Sequence, residues 1–242
     1  GDAGTFDQQI ANARDIAEYI AKATASGAQV VLSHGNGPQV GNSLLRNDNS
    51  LDDAQEMPLF ACGAESQGLI GAVLSLALDS AFRRRDSDSC AMPILTPVVV
   101  DGAEIKEPTK PVGPFYSESE AKQREGEDGI IYREDAGRGW RRVVPSPEPR
   151  EIPCVAQVEQ ILDSGNVPIV AGGGGLPVTE TDDGGYRYVN GVVDKDLAEN
   201  VGPGVDQLPL HRQCIRPPRS SLHHNRVKGQ GDGVDDEPMA EI

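Results

Sequence analysis

Two lysines, an aspartate beside one of them and two glycine-rich turns are the residues best suited to chemistry. Lys110 lies in Glu107-Pro108-Thr109-Lys110-Pro111, where prolines on both sides restrict the backbone. Lys195 lies in Val193-Asp194-Lys195-Asp196-Leu197-Ala198. A lysine between carboxylates is either a surface ion pair or a lysine whose position a carboxylate fixes, and the residues alone leave both open. The turns are His34-Gly35-Asn36-Gly37-Pro38 and Gly172-Gly173-Gly174-Gly175-Leu176-Pro177, each following a short apolar run. A strand that passes through glycines into a helix start aims N–H groups and a positive dipole end at one point, which favours an anion. A tight connection with no ligand is the competing reading of the first turn. Four consecutive glycines are costly in backbone entropy, and after a buried strand they point to close approach of an anionic group. Neither turn has the Walker pattern or the dinucleotide Gly-x-Gly-x-x-Gly.

Such parts suit phosphoryl transfer, which needs aligned reactants and positive charge on the moving group more than covalent help. Mg²⁺ would arrive with a nucleotide. Arg141 and Arg142, in Gly139-Trp140-Arg141-Arg142-Val143, either clamp a phosphate or sit on a surface strand. Ser66 and Gln67 are expected to cap a helix rather than touch a ligand. His34 is expected to make a structural hydrogen bond, and no Ser-His-Asp or Cys-His arrangement is apparent.

The elements that must position these residues can be read from periodicity. Thr5-Phe6-Asp7-Gln8 has the form of a capping box, and Ile10, Ala13, Ala17 and Ile20 continue as an amphipathic helix. Val30 to Leu32 is a buried strand, and Gln39 to Leu45 a helix. Met57 to Arg85 reads as a long helix apolar around much of its girth, buried between layers. The 93–101 segment is a strand interrupted by Pro97, and 117–139 an exposed, charged excursion or lid. A strand at 139–147, a short helix closed by Gly165 and a strand at 167–171 follow. Residues 202–242 hold no aromatic residue and no persistent period, and read as disordered.

With 242 residues, 4% aromatics and a formal net charge of −16, the chain suits one large α/β domain with an aliphatic core. That charge argues against a nucleic-acid partner. The apolar runs fall short of the ~20 residues of a membrane span. Cys62, Cys90, Cys154 and Cys214 are widely spaced, form no zinc set and read as reduced thiols of a cytoplasmic protein. No metal site is expected.

The motifs resemble those of the carbamate kinase family. They are His34 to Gly41, Cys62-Gly63-Ala64 with Ser66-Gln67-Gly68, Lys110 to Tyr116, Gly139 to Pro147, Ala171 to Val178 and Asp194 to Ala198. They occur in the family order over about residues 4–200. The resemblance implies the amino acid kinase fold, a three-layer α/β/α sandwich with a mostly parallel sheet, over 1–201, with a lid at about 111–145. It implies reversible transfer between ATP and carbamate, giving ADP and carbamoyl phosphate, in arginine catabolism, by a homodimer using ATP/ADP with Mg²⁺. Lys110 and Lys195 would stabilise the transferring group and Asp196 would orient the lysines. Gly35, Asn36 and Gly37 would hold the carbamoyl phosphate side, with Gly172, Gly173, Gly174 and Gly175 close by. Two departures stand out: the family's first strand with its Gly-Gly-Asn-Ala turn is missing, and so is its nucleotide-binding continuation. These suggest a truncated, frameshifted product, with an inactive remnant or a carboxylate kinase of the same fold as alternatives.

Overall fold

The computed structural model describes residues 4–49, 55–102, 105, 108–198 and 214–216. Helix α1 (Phe6–Ala25) starts at the expected capping box, with the Thr5 side chain and Gln8 bonded reciprocally. It leads to β1 (Gln29–Val31), α2 (Gly37–Asp48) and α3 (Leu59–Arg83). Strands β2 (Ala91–Pro93) and β3 (Pro97–Val100) are the two halves of the proline-interrupted run. The segment read as a lid folds as β4 (Lys110–Tyr116), α4 (Glu118–Asp128), β5 (Tyr132–Glu134) and β6 (Trp140–Val144). Then come β7 (Pro149–Glu151), α5 (Val155–Asp163), β8 (Val167–Ile169), a 3₁₀ turn at Gly172–Gly174, β9 (Leu176–Glu180), β10 (Tyr186–Tyr188) and α6 (Lys195–Ala198).

Strand alternation builds three layers. Val30 and Leu32 of the β1 run face α1 and α3, with Ala17, Ile20, Leu78, Phe82, Val167 and Ile169 in one cluster. Val31 points the other way, onto Val158 and Leu162 of α5 and Val170. Side chains alternate across a strand, so one three-residue segment serves both faces. The central strands are parallel: β2 pairs with β8, Leu32 bridges to Ile169, and beyond the glycine turn β3 pairs with β9. Antiparallel pairs include β7 and β10, which flank β3 and β9, and the separate sheet that runs β4-β6-β5. This is the expected sandwich.

Helix α3 departs from the sequence reading. It is long and apolar enough to cross a bilayer by length and composition, but only one side is buried, against α1 and the parallel strands. Leu69 and Leu76 are exposed, at 38% and 71%. Ser66 and Gln67 do not cap it, because it begins at Leu59, a full two turns earlier. Instead Gln67 Nε2 donates to the Gly172 carbonyl (2.9 Å) and its Oε1 accepts from Thr96 N–H (3.1 Å). Thr96 Oγ1 in turn accepts from Ala171 N–H (2.9 Å). One buried amide thereby ties α3, the β2–β3 link and the second glycine turn together.

The β4–α4 segment is anchored on α2. Tyr116 Oη donates to Asp48 (2.9 Å), Arg124 pairs with the same carboxylate (3.2 Å), and the Arg124 guanidinium lies 4.5 Å from the Tyr116 ring centre. Of the segment read as disordered, 202–242, all but 214–216 lies outside the described residues. Those three form β11 (Cys214–Arg216), antiparallel to β1.

Gln67→Leu leaves the Thr96 N–H buried without a partner, at about 1–3 kcal/mol, and leaves the Gly172 carbonyl only the Gly175 N–H (3.2 Å). Urea denaturation should show that loss, and an unchanged midpoint would contradict the bracing role.

Candidate functional site

The two glycine turns meet. Gly173 N–H donates to the His34 carbonyl (2.7 Å) and Val170 N–H to Leu32 (2.8 Å). The contact is close enough to exclude side chains: a Cβ on Gly172 would lie 2.4 Å from the His34 ring, and one on Gly173 2.2 Å from the Asn36 amide. On Gly174 it would fall 2.2 Å from the Val193 carbonyl oxygen, and on Gly175 2.2 Å from Val98 Cγ2. Gly173, Gly174 and Gly175 also hold left-handed φ values of +64°, +94° and +86°. Their N–H groups are committed to the carbonyls of His34, Ala171 and Gly172. The sequence reading of this run is close approach to an anionic group; the close approach seen here is to protein, since packing against His34, Asn36, Val98 and Val193 demands the glycines, while Gly173 and Gly175 also line a cavity.

The first turn is built the opposite way. A Cβ on Gly35 or Gly37 would meet nothing within 4 Å. Asn36 caps α2 without a side-chain bond, since its amide donates to Ser66 Oγ instead (2.8 Å). Among the described residues, the N–H groups of Gly35, Asn36 and Gly37 have no hydrogen-bond partner. Free donors at the start of a twelve-residue helix, with no side chain in front of them, favour a negative charge.

These groups border a cavity of about 330 Å³. Gly35, Asn36 and Gly37 form one wall, and Gly173 and Gly175 another; Gly172 and Gly174 are not part of its lining. Lys110 enters from the first residue of β4, and Lys195 from the start of α6, which packs on the glycine turn. Phe60 and Gly63 of α3 and Arg141 of β6 complete the rim. The sequence-predicted lysines and both turns thus share one space, although up to 160 residues separate them.

Lys110 Nζ is bonded to Asp194 Oδ2 at 2.7 Å, each side chain a little over one-third exposed. Sequence reasoning selected Asp196 from the two aspartates beside Lys195; Asp196 falls in α6, and its side chain lies outside the described residues. Asp194 has no distinguishing signal in sequence, since both aspartates flank the same lysine. The ionic lining, Lys110, Arg141, Lys195 and Asp194, sums to 3 − 1 = +2 in a protein of −16. Burial pushes the His34 imidazole below its ordinary value, opposed by its Nδ1 contact with the Gly35 carbonyl (3.1 Å). This fits the expected structural role.

No family model matches the chain. Curated relatives do. A carbamate kinase of Pyrococcus horikoshii is 44% identical over 202 residues, covering 82% of this chain and 64% of the relative. Carbamate kinase 2 of Enterococcus faecalis is 42% identical over 222 residues, covering 86% and 71%. The carbamate kinase of Giardia lamblia bound to AMP-PNP superposes with a TM-score of 0.73 at 40% identity, covering 81% of this chain and 63% of that one. The chain thus spans just under two-thirds of the first relatives' length.

Two outcomes test this site. Gly174→Ala should lose about 1–3 kcal/mol from its backbone conformation alone, with the Val193 clash added, whereas Gly35→Ala should match the parent in thermal denaturation; equal losses would contradict the packing account. His34 titrates at about 6.5 when unfolded and lower when folded, so the unfolded chain takes up more protons and stability falls as pH drops below that value. In His34→Gln this part of the acid slope should vanish; identical slopes would refute it, because every other titrating group is common to both proteins.

Proposed function

Because the chain belongs to the carbamate kinase family, we propose that its cavity takes the carbamate or carbamoyl phosphate of a reversible phosphoryl transfer with ADP and ATP. The observation that carries this reading is the convergence of Lys110, Lys195 and the free N–H groups of the first turn on one cavity of about 330 Å³. That volume is at the low end for small-molecule sites and suits a small phosphorylated acid. In the direction of ATP synthesis, an ADP β-phosphate oxygen attacks the phosphorus of carbamoyl phosphate. The bond from phosphorus to the carbamate oxygen breaks, and carbamate leaves with that electron pair.

Each residue has a part in this reading. Lys110 and Lys195 put positive charge on the oxygens of the moving phosphoryl group, where negative charge is spread in the transition state. Gly35 and Gly37 leave room for the acceptor to reach the start of α2. Asp194 holds Lys110 before the substrate arrives, and Asp196 orients the lysines as the family resemblance implies. Mg²⁺ accompanying the nucleotide would neutralise phosphate charge. The described lining supplies one carboxylate, Asp194, already paired with Lys110, so such an ion would be held mainly by phosphate oxygens and water. The reading extends to a cytoplasmic homodimer in arginine catabolism. Leu69 and Leu76, seven residues apart on the exposed side of α3, offer an apolar face for a second copy.

The test is ATP formation by the full chain from carbamoyl phosphate and ADP, followed by a coupled assay. Lys110→Met and Lys195→Met should each lower kcat by about 10²–10³. Binding of carbamoyl phosphate without turnover would identify an inactive remnant. ADP formation from ATP with acetylglutamate or aspartate as the phosphoryl acceptor would identify a carboxylate kinase.

A further inference from the structure

Arg141 and Arg142 are adjacent on β6, and strand alternation sends them to different spaces. Arg141 borders the 330 Å³ cavity, while Arg142 borders a separate pocket with Tyr116, Arg124 and Tyr132. The partner strand is irregular opposite Arg141. Val112 pairs with Arg142 and Tyr116 with Trp140, so Gly113, Pro114 and Phe115 face the single residue Arg141. Gly113 takes a φ of +78°, a conformation natural to glycine, to make this bulge. Bulges re-aim side chains, and this one surrounds the guanidinium.

Three contacts fix that group. Arg141 Nε donates to the Gly113 carbonyl (3.0 Å), and Nη1 donates to Asp135 Oδ2 (3.0 Å). The guanidinium carbon lies 4.8 Å from the Phe115 ring centre. The side chain is 20% exposed and Asp135 only 13%. Arg138 shares Asp135 at 3.1 Å, and the two arginines, Arg141 foremost, hold its carboxyl below the usual range. An arginine has five N–H donors in a rigid fork. Two are used here, and Nη2 has no partner among the described residues. A side chain that only stapled the bulge would have no reason to border the same cavity as Lys110, Lys195 and the free N–H groups of the first turn.

We propose that Arg141 is the lid's oxyanion-binding residue, its remaining N–H donors taking a phosphoryl or carboxylate oxygen of the ligand in this cavity. The assignment rests on the phosphoryl-transfer reading above for the identity of the ligand, but not for the chemistry of the contact. Lys110 and Arg141 come from neighbouring strands of the lid sheet, and Lys195 and the α2 start from the body. A bound oxyanion would therefore be held from both sides.

The experiment compares the full chain with Arg141→Lys and Arg141→Gln by calorimetric titration with inorganic phosphate and with carbamoyl phosphate, alongside thermal unfolding. A charge-assisted hydrogen bond is worth about 1.5–3 kcal/mol, so Kd should rise about tenfold to a hundredfold in Arg141→Gln. Arg141→Lys keeps the charge but not the fork and should fall between; if Arg141→Gln does not fold, this variant decides. In steady-state kinetics, KM for carbamoyl phosphate should rise while KM for ADP holds. Parental affinity for phosphate in the folded variants, changes confined to the melting temperature, or a parent chain that binds no phosphate would each overturn the proposal. If the parent binds phosphate but makes no ATP, the proposed activity fails while the Arg141 comparison still stands.

Discussion

The site depends on the contact between the two glycine turns. Gly173 N–H reaches the His34 carbonyl because Gly172 to Gly175 carry no Cβ, and each of the four glycines faces a protein atom that a side chain would strike. The close approach fixes the ends of β1 and β8 relative to one another. It brings Lys195 to the cavity, since Gly174 packs on Val193 and the Lys195 backbone. It also frees the first turn: with Asn36 held by Ser66 and abutting Gly173, the helix start behind it keeps its donors open. The entropy cost of four glycines is met by burial around them, including the Gln67 and Thr96 hydrogen bonds.

Charge is arranged against the trend of the whole molecule. A chain of net −16 repels a phosphorylated ligand at long range, and screening by salt confines that effect to about 8–10 Å at ordinary ionic strength. Inside the cavity the local balance is reversed, with three cations and one carboxylate. The carboxylate is spent on Lys110. A part-exposed pair of this kind is worth about 0–1 kcal/mol, whereas a charge-assisted hydrogen bond to an oxyanion is worth about 1.5–3 kcal/mol. By these magnitudes Asp194 restrains Lys110 in the empty cavity without holding it against a ligand.

Much of this was legible in the sequence, for identifiable reasons. Val30, Val31 and Leu32 are β-branched or aliphatic and bounded by turn residues, so the strand was readable, though its boundary slipped by one residue. Lys110 stood out because prolines on both sides are rare around a mobile surface lysine. The capping box at Ser117 and Glu120, which starts α4, is equally present in the sequence, within the stretch that reads as an exposed, charged excursion or lid. What could not be read was pairwise. Nothing local separates Asp194 from Asp196, or Arg141 from Arg142, because each choice is made by the partner strand or the cavity. The glycine run shows the same limit, since entropy alone says that a close approach exists but not whether ligand or protein makes it.

The two turns divide one task between them. A glycine whose missing Cβ is filled by a neighbouring side chain or carbonyl serves packing, and its substitution is felt as instability. A glycine whose missing Cβ opens onto a cavity serves access, and its substitution is felt by the ligand. Gly174 belongs to the first kind and Gly35 and Gly37 to the second. Glycine enrichment beside a strand end is thus two signals with one appearance, and the second turn is the reason the first can be open. If the Gly172–Gly175 backbone stood farther from His34 and Asn36, the first turn would need its own capping side chain, and the N–H groups now facing the cavity would be occupied.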